Sequence, residues 1–336
     1  ILYVNSVGGQ TDIVYDGSSA AFNSRGEAIA LLKSFEEDFQ TVDVDGNETP
    51  KKIPEQNKTY NVYRAIKLGL GDFFVKNGFK TACLGLSGGI DSAVVLSMAA
   101  ETLGPENIRV LLMPSQFSSD HSVEDARELA ENLGVEYQIV PINETFAALT
   151  ATLGPVFGEL PFNVAEENMQ ARIRGMMMMA ISNKFGNVLL ATSNKSEIAV
   201  GYGTLYGDTV GALSIIGDLY KSEVYDLARY INRQREIIPL NTIMKAPSAE
   251  LRLEQKDSDS LPPYDVLDAI LYRMIEEGQS REEIINAGFD EDEVYKVYNL
   301  VVKSEFKRYQ SCPTLRLSTR PMRTGRTMPL TNKYGC

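Results

Sequence analysis

A chain of 336 residues can bury a large core, as one sizeable domain or two smaller ones. With 33 Lys and Arg against 45 Asp and Glu it carries a formal charge of −12, which repels nucleic-acid phosphates and anionic membranes, so neither is an expected partner. A single histidine, His121, and three scattered cysteines, Cys83, Cys312 and Cys336, argue against a Ser-His triad, a histidine metal site, a thiolate zinc site or a disulfide framework. A reducing cytoplasm is the expected compartment. No signal-like opening and no apolar run of membrane-spanning length is present.

In chain order, Ile1 to Asn5 and Asp12 to Gly17 read as a pair of strands, which cannot be stable by itself. This pair is expected to be the tail of a domain whose body lies elsewhere. Asp43 to Lys58, polar and aperiodic with a turn signal at Asp45-Gly46-Asn47, reads as a linker. Helical spacing of Val62, Ile66, Leu70 and Phe73 predicts a helix over 61–74, and Thr81 to Leu86 a buried strand in which Cys83 is a small hydrophobe. A helix follows over 91–103, a strand over 108–113, a helix through Val123 to Leu133, and a strand over 136–140. Glu166 to Lys184 predicts a helix whose Met176-Met177-Met178-Met179 run fills core, and Asn187 to Ala191 a further strand. Beyond Leu261 the chain is mostly helical and ends in a polar, basic tail. Alternation of strand and helix predicts an α/β fold, a doubly wound parallel sheet with helices on both faces.

The sharpest local signal is Gly85-Leu86-Ser87-Gly88-Gly89-Ile90-Asp91-Ser92, where a buried strand meets a helix. Paired glycines allow close backbone approach to a phosphate, and the helix N-terminus directs N–H groups and a positive dipole end at it. Asp91 puts a carboxylate into that anion site, which makes chemical sense if a cation bridges it to the phosphates. No Gly-Lys-Ser/Thr follows, so this is not a kinase-type P-loop, and the GxGxxG fingerprint is absent. The competing structural reading is a plain helix cap by Asp91 or Ser87. Likewise Lys221, taken alone, could be a surface residue of the Val224, Leu227, Ala228, Ile231 helix.

The Ser-Gly-Gly-x-Asp-Ser loop resembles the pyrophosphate loop of the ATP pyrophosphatase families, with an adenine nucleotide alpha hydrolase-like fold. Three further stretches resemble the NAD synthetases: Thr192-Ser193-Asn194-Lys195-Ser196-Glu197, Gly201 to Asp208 followed by Asp218-Leu219-Tyr220-Lys221-Ser222-Glu223, and Pro247-Ser248-Ala249-Glu250-Leu251 followed by Leu261-Pro262-Pro263-Tyr264. The Thr-Leu-Tyr-Gly-Asp and Leu-Pro-Pro-Tyr forms resemble their glutamine-dependent branch. The likeness runs over roughly residues 60 to 320, and the opening segment through Ser18 resembles the last strands of a nitrilase-type glutaminase domain.

The resemblance implies a division into a glutaminase remnant (1–42), a linker (43–58), a synthetase domain (59–320) and a tail (321–336). It implies that Gly85, Ser87, Gly88, Gly89, Ile90, Asp91 and Ser92, with Thr192, Lys221 and Ser248, bind ATP, and that Asp91 and Glu197 carry Mg2+. Asn168, Arg172 and Lys307 would contact deamido-NAD, and Asp208 would assist ammonia as a base, with Lys221 adding charge at the reacting phosphate. Leu205, Ala212 and Phe306 depart from the patterns of ammonia-dependent relatives, which puts contacts to the nicotinate end in question. The implied reaction is ATP-driven amidation of deamido-NAD by ammonia, drawn from glutamine in the full-length protein, in a homo-oligomeric assembly. Another amide ligase, such as a GMP synthetase-like enzyme, and a non-catalytic nucleotide-binding module are the alternatives.

Overall fold

The computed structural model describes residues 1–10, 12–43, 49–252 and 255–331. At its centre lie five parallel strands in the order β10 (Leu213–Ser214), β9 (Val188–Ala191), β6 (Ala82–Gly85), β7 (Ile108–Leu112) and β8 (Tyr137–Ile139). Side chains alternate across this sheet as the strand period requires. Ala82 and Leu84, Val110 and Leu112, and Val188 and Leu190 point into one core, Cys83, Leu111 and Leu189 into another. Both faces are therefore apolar, and both are covered.

The first face is roofed by α1 (Lys58–Asn77), α2 (Ile90–Leu103), α3 (Asp120–Leu133) and α7 (Lys221–Ile231), which bury Ile66, Leu70, Val94, Leu129 and Leu227. The second carries α4 (Asn143–Phe157) and α5 (Val164–Phe185). A satellite core joins α6 (Lys195–Val200) to α9 (Tyr264–Ile275), α10 (Arg281–Asn286) and α11 (Glu291–Lys303), with α12 (Glu305–Arg308) after it and α8 (Leu240–Met244) before them. From β6 the chain winds outward through β7 and β8, then returns to the other side for β9 and β10. The order reverses between β6 and β9, and loops leaving those two strand ends diverge into a crevice, the usual ligand position in a doubly wound sheet.

Several expectations need correction. The opening segment is not a lone strand pair. Strands β1 (Leu2–Tyr3), β4 (Ala20–Phe22) and β5 (Ala28–Leu31) form one small antiparallel sheet, and β2 (Val7–Gln10) pairs with β3 (Ile13–Asp16) in a second. The second packs on α1, where the Gly9 N–H donates to Asp72 at 2.7 Å and Lys76 donates to the Gly9 carbonyl at 2.8 Å. Helix α1 begins at Lys58 rather than Asn61, because Asn57 caps it by accepting from the Tyr60 N–H. The linker's last residue is thus helical, while Asp45-Gly46-Asn47 and Cys336 lie outside the described residues. Helix α4 has no counterpart among the expected elements, since Gly154 and Pro155 break its pattern and it fully buries none of its residues. Met178 is core, but Met176 is 60% and Met179 37% exposed, because four consecutive helical residues cannot all face one sheet. The tail is not wholly solvated either, for Met322 packs into the satellite core.

A buried ion network ties the last segment down. Lys195, fully buried, reaches Asp218 at 3.0 Å, Glu276 at 2.5 Å, Ser318 Oγ at 2.7 Å and the Arg320 carbonyl at 3.1 Å. Asp218 also accepts from the N–H groups of Leu317 and Ser318 at 2.8 and 2.7 Å. Lys195→Met would leave two carboxylates buried without their cation. The expected cost is about 3–5 kcal/mol in urea unfolding, with faster hydrogen exchange at the Leu317 and Ser318 amides. A variant of wild-type stability with those amides still protected would show that the network does not hold this segment.

Candidate active site

The crevice opens into a cavity of about 660 Å³, within the size range of small-molecule sites. Its first wall is the loop after β6. Gly88 takes φ +77°, and a Cβ there would lie 2.1 Å from the Ser122 carbonyl oxygen, so only glycine lets this turn lie against the start of α3. Ser92 Oγ donates to the Gly89 carbonyl at 3.0 Å, and Ser87 Oγ accepts from the Gly89 N–H at 3.2 Å. Helix α2 starts at Gly89 with no side-chain cap. The plain-cap reading of Asp91 and Ser87 therefore fails.

Asp91 is engaged elsewhere. Its Oδ1 accepts from Asn194 Nδ2 at 2.9 Å, and its Oδ2 from Lys221 Nζ. Lys221 also lies 3.4 Å from Glu197 Oε1 and 5.1 Å from the centre of the Tyr264 ring. It is buried, so the surface reading of Lys221 fails as well. Burial alone would pull its ammonium pKa down, but Asp91 and Glu197 more than offset that and hold it up. Glu197 is pushed up to about 8, by burial first and by Asp91 second, against the opposing pull of Lys221.

Local sequence explains how three segments deliver these groups. Asn194 and Glu197 form a capping box at the start of α6, which orients Glu197. The hydroxyl of Ser196 donates to Asp268 Oδ1 at 2.5 Å and accepts from the Lys221 N–H at 2.9 Å, while Asp268 Oδ2 accepts from the Ser222 N–H at 2.8 Å. One buried carboxylate on α9 thus joins the start of α6 to the start of α7, and with them Glu197 to Lys221.

The other end of the cavity is built by α5, the 201–208 turn and Lys307. Thr204 Oγ1 donates to Asn168 Oδ1 at 2.7 Å, and the Thr204 N–H donates to Asp208 at 2.6 Å. Asp208 opens into the cavity yet has protein around most of its carboxyl, and burial raises its pKa. Lys307, half-buried, donates to the carbonyls of Gly201 and Gly203 at 2.7 and 2.9 Å, and burial lowers its pKa. Gly175 lets the turn sit close, since a Cβ there would meet the Tyr206 carbonyl at 2.8 Å. Thr192 and Ser248 also line the cavity, Ser248 on a stretch of loop over it.

Not every residue singled out from the sequence converges here. Arg172 is exposed and absent from the cavity wall, its Nε donating to the Leu205 carbonyl at 3.2 Å. Leu205, Ala212 and Phe306 do not line it either. Sequence reasoning missed Arg174, further along α5, which does line it. It also missed Glu250, whose carboxylate accepts from the hydroxyls of Ser119 and Ser122 at 2.8 and 2.7 Å and fastens the 247–251 loop to α3. The signal for Glu250 was only its place in the Pro-Ser-Ala-Glu-Leu stretch. Arg174 had none beyond being a charge in a methionine-rich helix.

The sequence model of the NAD synthase family matches residues 62–311. The chain is 49% identical over 339 residues to the glutamine-dependent NAD(+) synthetase of Synechocystis sp., with 99% of this chain and 61% of that protein covered. It superposes with a TM-score of 0.70 on the glutamine-dependent NAD+ synthetase of Acinetobacter baumannii in complex with ADP, at 40% identity over 98% of this chain and 61% of that one. The TM-score with the NMN synthetase of Francisella tularensis is 0.64, at 27% identity over 74% and 95% of the two chains. The chain thus spans about three fifths of the length of the glutamine-dependent relatives.

Two outcomes are expected. Gly88→Ala adds the backbone penalty of the left-handed region, about 1–2 kcal/mol, to the clash with Ser122, and its urea unfolding midpoint should fall well below that of wild type. Gly78→Ala shares the positive φ but meets nothing within 4 Å, and its loss of stability should stay at the backbone penalty of about 1–2 kcal/mol. Second, burial and the neighbouring Asp91 raise the folded Glu197 carboxyl pKa above that of an unfolded one, which loses its proton near pH 4.3. Its stabilising effect is complete below the unfolded value and is lost as pH rises through the folded one. In metal-free urea titrations, Glu197→Gln should gain stability relative to wild type between pH 5 and pH 8. A pH-independent difference would contradict this.

Proposed function

The chain belongs to the NAD synthase family, and from that premise we propose that it joins ammonia to the nicotinate carboxylate of deamido-NAD at the expense of ATP. The observation that carries this reading is the meeting of Asp91, Glu197 and Lys221 beside the Ser87 to Ser92 loop, in one cavity with Asn168, Asp208 and Lys307. Binding alone would not call for two carboxylates and a buried ammonium next to a phosphate loop.

In the proposed first step a nicotinate carboxylate oxygen attacks the α-phosphorus of ATP, and the bond from that phosphorus to the bridging oxygen breaks with its electrons leaving on pyrophosphate. In the second, ammonia attacks the acyl carbon of the adenylate and AMP departs with the bonding pair. Asp208 is our candidate for taking the proton from nitrogen, since burial makes its carboxylate more basic. Lys221 would place fixed positive charge where the phosphate charge grows. Gly85, Ser87, Gly88, Gly89, Ile90, Ser92, Thr192 and Ser248 would hold the nucleotide, and Asn168 and Lys307 the second substrate. Arg172 would act at most through the Leu205 turn it braces.

The residues fit a magnesium ion. Asp91 and Glu197 turn carboxylate oxygens toward one ammonium, so the site favours positive charge, and hard oxygen donors suit magnesium. Among the described residues no group of three or more ligating side chains exists, so phosphate oxygens and water would complete the shell. Bound there, the ion would offset charge building on the departing pyrophosphate.

The division at residues 42, 58 and 320, with the first segment the end of a glutaminase domain and glutamine the nitrogen source of the longer protein, belongs to the same proposal. So does a homo-oligomer, supported by the exposed Val156, Leu160, Phe162 and Met176 on and between α4 and α5. No helix of the described residues is long and apolar enough to cross a membrane. A reducing cytoplasm agrees with the unpaired thiols of Cys83 and Cys312.

With ATP, magnesium, deamido-NAD and ammonium, the 336-residue chain should yield NAD, AMP and pyrophosphate. Glutamine alone should not support the reaction, because among the described residues burial pushes both thiols, Cys83 and Cys312, up to about 12 and about 11 and leaves neither activated. Asp91→Asn and Glu197→Gln should each cut adenylation by at least about a hundredfold, as expected for a lost charge ligand worth several kcal/mol. ADP and orthophosphate as products would overturn the reading, and turnover only with the acid counterpart of NMN would reassign the substrate.

A further inference from the structure

Five basic side chains line the cavity among the described residues: Arg174, Lys221, Lys245, Arg252 and Lys307. Four have their charged ends engaged. Lys221 holds Asp91 and Glu197, Lys245 holds Asp125 at 3.0 Å, Arg252 pairs with Asp259 at 2.9 Å, and Lys307 is taken by two backbone carbonyls. Arg174 differs. Only its Nε is committed, donating to the Met113 carbonyl at 2.9 Å, and among the described residues no carboxylate lies within ion-pair distance of its guanidinium. Burial pulls its pKa down to about 10, and the opposing attraction of Glu250 and Asp208 does not offset the loss of water. A guanidinium kept in a cavity without a carboxylate is poised for an anion brought by a ligand.

The clip to Met113 also says which anion. Leu111 of β7 is in register with Gly85, the first residue of the phosphate loop, and Met113 follows just beyond, its Cε only 3.0 Å from where a Gly85 Cβ would stand. The guanidinium is therefore tethered beside the loop, and one fixed nitrogen leaves the Nη pair to meet an oxyanion. We propose that Arg174 receives a phosphate oxygen of the nucleotide bound in this cavity. This deepens the reading above, since it rests on that cavity being the nucleotide site.

Binding calorimetry of wild type, Arg174→Gln and Arg174→Lys with AMP, adenosine and deamido-NAD tests it. Arg174→Gln should weaken AMP binding at least tenfold while leaving adenosine within twofold, and Arg174→Lys, which keeps the charge but loses the planar fork, should recover only part of the AMP affinity. Unchanged AMP binding by Arg174→Gln would overturn the proposal. So would an equal loss for adenosine, which would mean a shape defect, or a loss confined to deamido-NAD, which would give the anion to the other substrate. Absence of AMP binding in the wild type would overturn it too. Because none of these measurements needs turnover, failure of the ligase reaction with Arg174-dependent AMP binding intact would sink the reading above and leave the anchor standing.

Discussion

A buried ammonium cannot stand alone in protein, and the pairing of Lys221 with Asp91 and Glu197 is the constraint on which this structure turns. The three residues come from the starts of three helices, α2, α6 and α7. Further contacts hold the helix starts: the Asn194–Glu197 capping box at α6, the Asp268 carboxylate linking α6 to α7 through Ser196 and Ser222, and the turn at Gly88 before α2. Behind them Lys195 and Asp218 repeat the same logic a layer deeper and draw in the segment around Ser318. Charge in the interior is thus handled by building outward from one cation through successive partners.

The sheet decides where that can happen. Parallel strands bring helix starts to one edge, and the reversal between β6 and β9 parts the loops there so that a cavity opens instead of closing over. Glycine then sets how close the walls can come. At Gly88, Gly175 and Gly207 an added Cβ would lie under 3.0 Å from a neighbouring atom, so the 85–92 loop lies closer to α3, and the 201–208 turn closer to α5, than side chains would allow. The space left is a cavity of about 660 Å³, and the two-step condensation proposed for it depends on holding both reactants close together.

Much of this is legible in the sequence. Buried strands such as Ala82–Gly85 and Val188–Ala191 announce themselves as short apolar runs, and the glycine-serine turn after β6 stands out by its composition. Elements whose stability comes from elsewhere leave little trace. Helix α4 carries Gly154 and Pro155 and buries nothing fully, while β10, two residues long, exists because it pairs with Leu190 and Ala191. The small sheet of β1, β4 and β5 is likewise a matter of partners, not of local propensity.

Side-chain assignments divide in the same way. Glu197 is reached only through the family resemblance, whereas Asp91 could be singled out from sequence because a carboxylate in a glycine-rich anion turn is a local oddity. That Arg174 rather than Arg172 enters the cavity could not, because two positions on a helix differ by some 200° in direction and only the packing of α5 against β6 and β9 chooses between them. Lys221 is the clearest case. By itself the sequence determined that a lysine opens an amphipathic helix; whether its ammonium meets solvent or two carboxylates depends on residues 130 and 24 positions away, and only the folded sheet brings those within reach.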